Sequence, residues 1–293
     1  MDLSGLWLGQ PVWMWLVFMV SVGALLAFDL GVLGKRRGGD GTIGVRQSLS
    51  LSAFYIAAAA LFGGWVWLTL GPQSGMEYFT GFALEKALAL DNVFVISVIF
   101  GALAIPRQYQ HRVLFWGILG VLVLRAAMIG LGAALVTQFD WVMWIFAAFL
   151  IFTGIKMLRG GGQDHAPDPA NHPLIRGLAR FMPITPQLHG QRFVVDLPDA
   201  AGRVRRHATP LLVALLLVEA ADLVFAVDSI PAIFAITSDP FIVYTSNIFA
   251  VLGLRALYFA LEALVHRFEY LAKALSAVLV FIGGKIIYAQ FFG

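Results

Sequence analysis

The residues of this chain that could do chemistry are acids set in apolar sequence. One stretch runs from Glu85 through Asp91 and Asn92 to Ile96, and another from Asp222 through Asp228 and Ser229 to Ile233. Each reads as an acid, five residues, an aspartate, a small polar residue, a β-branched residue and, three positions on, an isoleucine. Glu219 precedes Asp222 by three residues, and Asp29 lies in an earlier apolar run. A carboxylate in such surroundings pairs with a base, is protonated, or offers oxygen to a cation, because each ionised group at a bilayer centre costs roughly 2.5–3.5 kcal/mol on the insertion scale.

Counting bases against acids separates these roles. Lys86, Arg125, Arg255 and Lys285 are four counter-charges for six acids, Asp29, Glu85, Asp91, Glu219, Asp222 and Asp228. Lys156 sits near a span end, from which it can snorkel. The excess is negative and suits a cation. The donors beside the carboxylates are the Asn92 and Asn247 amides, the Ser229 hydroxyl and backbone carbonyls, all hard oxygens. The sequence has no cysteine, which removes thiolate ligands, disulfides and thiol chemistry. Histidine comes no closer than the edge positions His111 and His266. Such a set suits Mg²⁺, Ca²⁺ or Mn²⁺ and disfavours Zn²⁺ and Cu⁺; the residues do not choose among the three.

The elements that hold these groups must be membrane helices. The 293 residues are 60% hydrophobic and only 13% charged, with a mean hydropathy of +0.83. Soluble domains are nearer one quarter charged. Apolar runs long enough to cross a bilayer cover 12–33, 48–70, 78–105, 112–136, 141–158, 209–236, 241–265 and 271–292. The first is too long for a signal-peptide core and lacks a basic leader, so it reads as a retained span.

The net charge of +3 does not imply nucleic acid, because the bases fall in alternate loops. Lys35, Arg36, Arg37 and Arg46 occupy the first, Arg107 and Arg112 the third, seven arginines from Arg159 to Arg206 the fifth, and Arg267 the seventh. Connections 71–77, 137–140 and 237–240 contain no Lys or Arg. The positive-inside rule then places both termini outside the cytoplasm. The whole chain, 1–293, reads as one all-α transmembrane domain. Within its cytoplasmic loop, 159–208, residues 174–181 suit a short interfacial helix, and 192–196 with 202–206 a small hairpin.

The acidic motif is part of a longer repeat. Spans four and seven each carry a lone arginine, Arg125 and Arg255. Spans five and eight close with Phe152-Thr-Gly154-Ile-Lys156 and Phe281-Ile-Gly283-Gly-Lys285. Two three-helix units follow, 78–158 and 209–293, preceded by two N-terminal helices. An odd helix number inverts one unit relative to the other, the architecture of many secondary transporters. Glu85 to Asp91 and Asp222 to Asp228 are each six apart, about 120° around a continuous helix. Convergence of each pair on one ion therefore predicts unwinding at Asp91-Asn92 and Asp228-Ser229, helped by Pro231.

The stretch from Ala208 through Glu219, Asp222 and Asp228 to Thr237 resembles the hallmark of the TerC family of integral membrane proteins. So do Phe241 through Asn247 and Arg255 to Phe259, Glu85 through Asp91-Asn92, Asp29-Leu-Gly-Val and Gly283-Gly-Lys285. The resemblance runs over nearly the whole chain. It implies a member of the lysine-exporter superfamily whose Alx-type relatives are associated with manganese export. It also implies metal handling by Glu85, Asp91, Asn92, Glu219, Asp222 and Asp228, and it selects Mn²⁺ from the hard-cation set. Asp29, Ser229 and Asn247 are possible additional or proton-handling groups. The expected function is export of Mn²⁺ as substrate by a secondary transporter, with proton exchange as the coupling and no cofactor. The alternatives are a passive divalent-cation channel and a membrane metal sensor or delivery protein. An intramembrane hydrolase is disfavoured by the lack of a His-rich zinc motif.

Overall fold

A computed structural model describes residues 5–34, 45–139, 141–156, 158, 172–198, 203–261 and 269–292. For residues 30–34, 45, 91, 269–275 and 292 the backbone alone is described. The basic residues Lys35–Arg37, Arg159 and Arg267 and the opening of the long loop, 159–171, lie outside the described residues.

A two-strand pair, β1 (Leu6–Trp7) and β2 (Gln10–Pro11), leads into α1 (Val12–Gly34) and α2 (Val45–Leu70). Gly71 turns the chain at φ 94, a left-handed conformation that glycine adopts without steric cost. Pro72 then opens α3 (Pro72–Ala102), with no helical N–H to forfeit at that position. α4 (Arg107–Gln138) and α5 (Val142–Lys156) follow. The long loop contains α6 (Pro173–Phe181) and an antiparallel hairpin of β3 (Val194–Pro198) with β4 (Val204–Ala208), in which Val195 faces His207. The helix falls where the sequence puts it, and the hairpin forms with each strand two residues later than expected. After them come α7 (Pro210–Phe234), α8 (Pro240–Leu252), α9 (Leu254–Leu261) and α10 (Glu269–Phe292).

Among the described residues, five helical segments are long and apolar enough to cross a membrane: Val12–Asp29, Arg46–Leu70, Arg107–Gln138, Pro210–Phe234 and Pro240–Leu261. Val142–Lys156 and Ser276–Phe291 are shorter apolar helices. α3 has the length, 31 residues, but carries Glu85, Lys86 and Asp91 in its middle. Large apolar side chains stand outward on these helices, among them Leu61, Leu68, Val123, Leu131, Phe152 and Phe281. So much exposed apolar surface suits lipid and would be a liability in water.

The helices pack as interlocked pairs. α3 lies against α2, α7 and α8, α4 against α7 and α8, α5 against α10, and α2 against α9. An aromatic cluster of Trp15, Phe18, Phe62, Tyr78, Phe241 and Phe249 joins α1, α2, α3 and α8. At its edge, Gln10 Nε2 donates to Asp239 Oδ2 at 2.8 Å while Asp239 Oδ1 caps α8 by accepting from the Phe241 N–H at 2.8 Å. The N-terminal segment is thereby tied to the start of α8.

Two expectations about helix continuity are corrected. α3 runs helical through Asp91 and Asn92, and α7 through Asp228 and Ser229, so neither acidic motif sits on an unwound segment. Unwinding was expected so that backbone carbonyls and both acids of a pair could reach one ion. Side chains of neighbouring helices meet Glu85, Asp222 and Asp228 instead, and Pro231 costs α7 one donor without ending it. The interruption falls in the seventh span, expected as one helix over 241–265. It is split at Gly253 (φ −84, ψ 2), which caps α8. A Cβ there would stand 3.0 Å from Lys86 Nζ and 3.1 Å from Tyr55 Cβ, so glycine admits both neighbours. Lys86 Nζ uses that space to donate to the Ala250 carbonyl at 3.1 Å.

Candidate functional site

The acids gather around a base. Arg125, near the middle of α4, is 1% exposed and lies among Glu85 on α3, Asp222 on α7 and Asn247 on α8. α4 comes close to α7 at Gly120, where the Glu219 carboxylate takes the space a Cβ would fill, and at Gly117, where a Cβ would stand in ordinary contact with Val218. Arg125 Nε donates to Asp222 Oδ2 at 2.9 Å and Nη2 to Asp222 Oδ1 at 2.8 Å. This two-pronged geometry is the strong form of a guanidinium–carboxylate pair. Arg125 Nη1 pairs with Glu85 Oε1 and donates to Asn247 Oδ1 at 3.2 Å. Asn247 Nδ2 closes the ring by donating to Glu85 Oε2 at 3.0 Å. Asn92 Nδ2 donates to Asp222 Oδ1 at 3.2 Å.

Glu85 is fully buried, Asp222 is 5% exposed and Asn247 fully buried, so water cannot substitute for any of these partners. The network is well bonded but not neutral. Two carboxylates face one guanidinium, and the neighbouring Lys86 turns away, about 100° around the helix from Glu85, toward the Ala250 carbonyl. Oxygen acceptors are also left over. Asn92 Oδ1, Glu219 Oε2 and Ser229 Oγ are buried without a hydrogen-bond partner. Glu219 lies one turn before Asp222 on the same face of α7, with its carboxylate against Gly120, where a Cβ would collide with it.

Glu85, Asn92, Asp222, Asn247, Arg125 and, one turn away, Glu219 are thus brought together. Asp228 is not part of this group. It is half-buried on another flank of α7 and accepts from Thr153 Oγ1 of α5 at 3.3 Å. Asp29 pairs with Arg255, whose guanidinium also stands 5.7 Å over the Phe115 ring. Lys285 was expected as an intramembrane counter-charge, but it is exposed on α10 and makes no ion pair with a described acid. The face of α10 that carries Gly283 packs on α5, and a residue two positions on points about 200° away. The Asp91 side chain lies outside the described residues. Among the described residues, no three of His, Asp or Glu form a group ready to hold a metal ion. Arg125 occupies the space between Glu85 and Asp222.

Sequence reasoning did not identify Thr153 as the partner of Asp228, nor Gly117 and Gly120 as the cradle of Glu219. The glycine spacing on span four was the available signal: two glycines three apart share a helix face and mark close approach of another helix.

The family model described as integral membrane protein TerC family matches residues 70–293. An uncharacterized membrane protein of Myxococcus xanthus is 47% identical over 278 residues, covering 95% of this chain and 84% of its own. One from Rickettsia bellii is 46% identical over 272 residues, 93% of this chain and 87% of its own. A protein of Escherichia coli K12 named membrane-bound redox modulator Alx is 40% identical over 292 residues, 97% of this chain and 88% of its own. No solved structure matches the chain.

Proposed function

We propose that this chain, which belongs to the TerC family of integral membrane proteins, is a multi-pass secondary transporter that exports a divalent cation, Mn²⁺ as its substrate, through the buried acids. One observation carries the reading. At the crossing of α3, α4, α7 and α8, acid outnumbers base, and Glu219 Oε2 and Asn92 Oδ1 remain unpartnered around Asp222. Buried oxygen without a partner costs free energy, and a hard divalent cation is the ligand that recovers it. Glu85, Asn92, Glu219 and Asp222 form the central site. Asp91 and Asp228 serve the path on either side, with Asp29, Ser229 and Asn247 as accessory groups. The choice of Mn²⁺ rests on the family resemblance.

The architecture supporting this is eight spans, with α8 and α9 together making the seventh. α1 and α2 precede two inverted units, α3 to α5 and α7 to α10, joined by the cytoplasmic loop. The packing has the reciprocity such units require: α3 lies on α8 as its counterpart α7 lies on α4, and each of the pairs α3–α7 and α5–α10 joins counterparts. The bases of alternate loops support an orientation with both termini outside the cytoplasm, and the bacterial relatives support the inner membrane. Export against an inside-negative potential costs about 4.6 kcal/mol per 100 mV for two charges. Proton entry on the same carboxylates would drive it, since protonation and metal binding compete.

A second reading, a membrane metal sensor or delivery protein without net transport, draws on the closed ring around Arg125 and on the name of the Alx relatives. This chain has no cysteine, so a redox effect would act through metal content and not through a thiol. Reconstitution separates the readings. Saturable Mn²⁺ flux that responds to an imposed pH gradient supports coupled transport, and saturable flux blind to the gradient removes the proton. Non-saturating flux indicates a channel, whereas binding with no flux indicates the sensor.

A further inference from the structure

We infer that Arg125 is a tethered competitor of the transported cation: it holds Asp222 when the site is empty and yields that carboxylate when a divalent ion enters. The inference rests on the transport reading above and adds how the empty site is kept closed.

The contacts of Arg125 divide into two halves. Nη1 serves Glu85 and Asn247, on α3 and α8. Nε and Nη2 serve Asp222 alone, on α7. Both Asp222 oxygens are engaged at 2.8 and 2.9 Å, so a cation cannot bind Asp222 at the face Arg125 covers until that half lets go. The other half can stay, because Glu85 is itself held by Asn247 Nδ2 at 3.0 Å.

Charge accounting favours this division. With Arg125 left on Glu85, one cation and one anion balance. Asp222 and Glu219, a turn apart on α7, are then two carboxylates for one divalent ion, and that set balances too. The oxygens that lack partners belong to residues beside Asp222: Glu219 one turn away on the same helix face, and Asn92 hydrogen-bonded to it. Glu219 Oε2 is unpartnered, and Asn92, which already donates to Asp222 Oδ1, keeps Oδ1 free. A purely structural ion pair would explain the bonds of Arg125 but leave these two acceptors unaccounted for. α4 and α7 also belong to opposite repeat units. The grip of Arg125 on Asp222 is therefore a latch between them, released by the ion that the units must move apart to pass.

The discriminating variant is Arg125→Lys. An ammonium can keep the charge at Glu85 but cannot span to Asp222 with a two-pronged grip. Mn²⁺ binding to the purified full-length protein should tighten in Arg125→Lys by roughly tenfold, within the usual range of coupling between two ligands. Asp222→Asn should abolish it. In proteoliposomes, Arg125→Lys should keep Mn²⁺/Mn²⁺ exchange while net export slows, because the empty site no longer closes. Thermal unfolding with and without MnCl2 guards against a folding defect, since Mn²⁺ should stabilise Arg125→Lys more than the wild type. Equal or weaker Mn²⁺ binding by Arg125→Lys, or failure of Mn²⁺ to stabilise it, overturns the inference while wild-type flux leaves the transport reading standing. A wild type that neither binds nor moves Mn²⁺ overturns the transport reading itself.

Discussion

Gly154 of α5 and Gly283 of α10 are reciprocal contacts. A Cβ on Gly154 would lie 2.9 Å from the Ser276 carbonyl oxygen and 2.7 Å from Val280, seven and three residues before Gly283. A Cβ on Gly283 would lie 2.9 Å from the Ala147 carbonyl oxygen and 2.7 Å from Ile151, seven and three residues before Gly154. Each glycine meets the other helix at the same two offsets, which is what a local two-fold axis between two packed helices produces. Small residues let helix backbones approach closely where lipid gives no hydrophobic drive for association.

Gly154→Ala and Gly283→Ala should each lower stability, by about 1–3 kcal/mol for an overpacked interface with backbone on the other side. Symmetry adds a sharper expectation, that the two losses are alike and the double variant loses less than their sum. Thermal unfolding in detergent measures this. Two unchanged midpoints would mean the helices are not in this contact.

The inverted arrangement has its own test, helped by a chain that has no native cysteine. Gln73→Cys and Ser238→Cys, exposed at the starts of α3 and α8, should react with an impermeant maleimide on intact cells. Gln108→Cys and Val204→Cys, exposed at the start of α4 and on β4, should react only after permeabilisation. Labelling of all four from one side would refute the opposed units.

Arg125 and Asp222 should be strongly coupled in stability. Removing either partner of a buried pair leaves an uncompensated charge, at a cost of about 3–5 kcal/mol. Arg125→Gln with Asp222→Asn removes both, so the double variant should be less destabilised than the summed singles by about 0.5–3 kcal/mol. A double-mutant cycle in denaturant gives the number, and strict additivity would mean that the two groups do not interact.

The sequence states which groups are costly but not which groups meet. The apolar runs, the loop helix near 174–181 and the hairpin were legible because each depends on local pattern: length, amphipathic spacing, alternation. Glu85, Asp222 and Arg125 were visible as buried charges for the same reason. Their assembly was not, because it is fixed by the approach of α4 to α7 at Gly117 and Gly120. The six-residue spacing of each acidic pair admitted two outcomes. Either the helix unwinds so that both acids face one point, or it stays intact and they face different neighbours. α7 takes the second, sending Asp222 to Arg125 and Asp228 to Thr153. The break came at Gly253, where the approach of Lys86 and Tyr55 is a tertiary fact with no signature in the seventh span alone.

Gly120→Ala separates fold from function most cleanly. The new methyl would collide with the Glu219 carboxylate, whose three atoms are its nearest neighbours. A carboxylate at the end of a flexible side chain can swing aside, so the stability cost should stay small, under about 1 kcal/mol. The displaced Glu219 would no longer stand beside Asp222, and Mn²⁺ flux should fall roughly tenfold or more, because a misplacement near 1 Å at a tuned site costs far more in function than in stability. Glu219→Gln, which keeps the shape and removes the charge, should lose flux comparably without crowding α4. A Gly120→Ala protein with full Mn²⁺ flux and an unchanged unfolding midpoint would take Glu219 out of the site, leaving Asp222 and Glu85 to carry the ion alone.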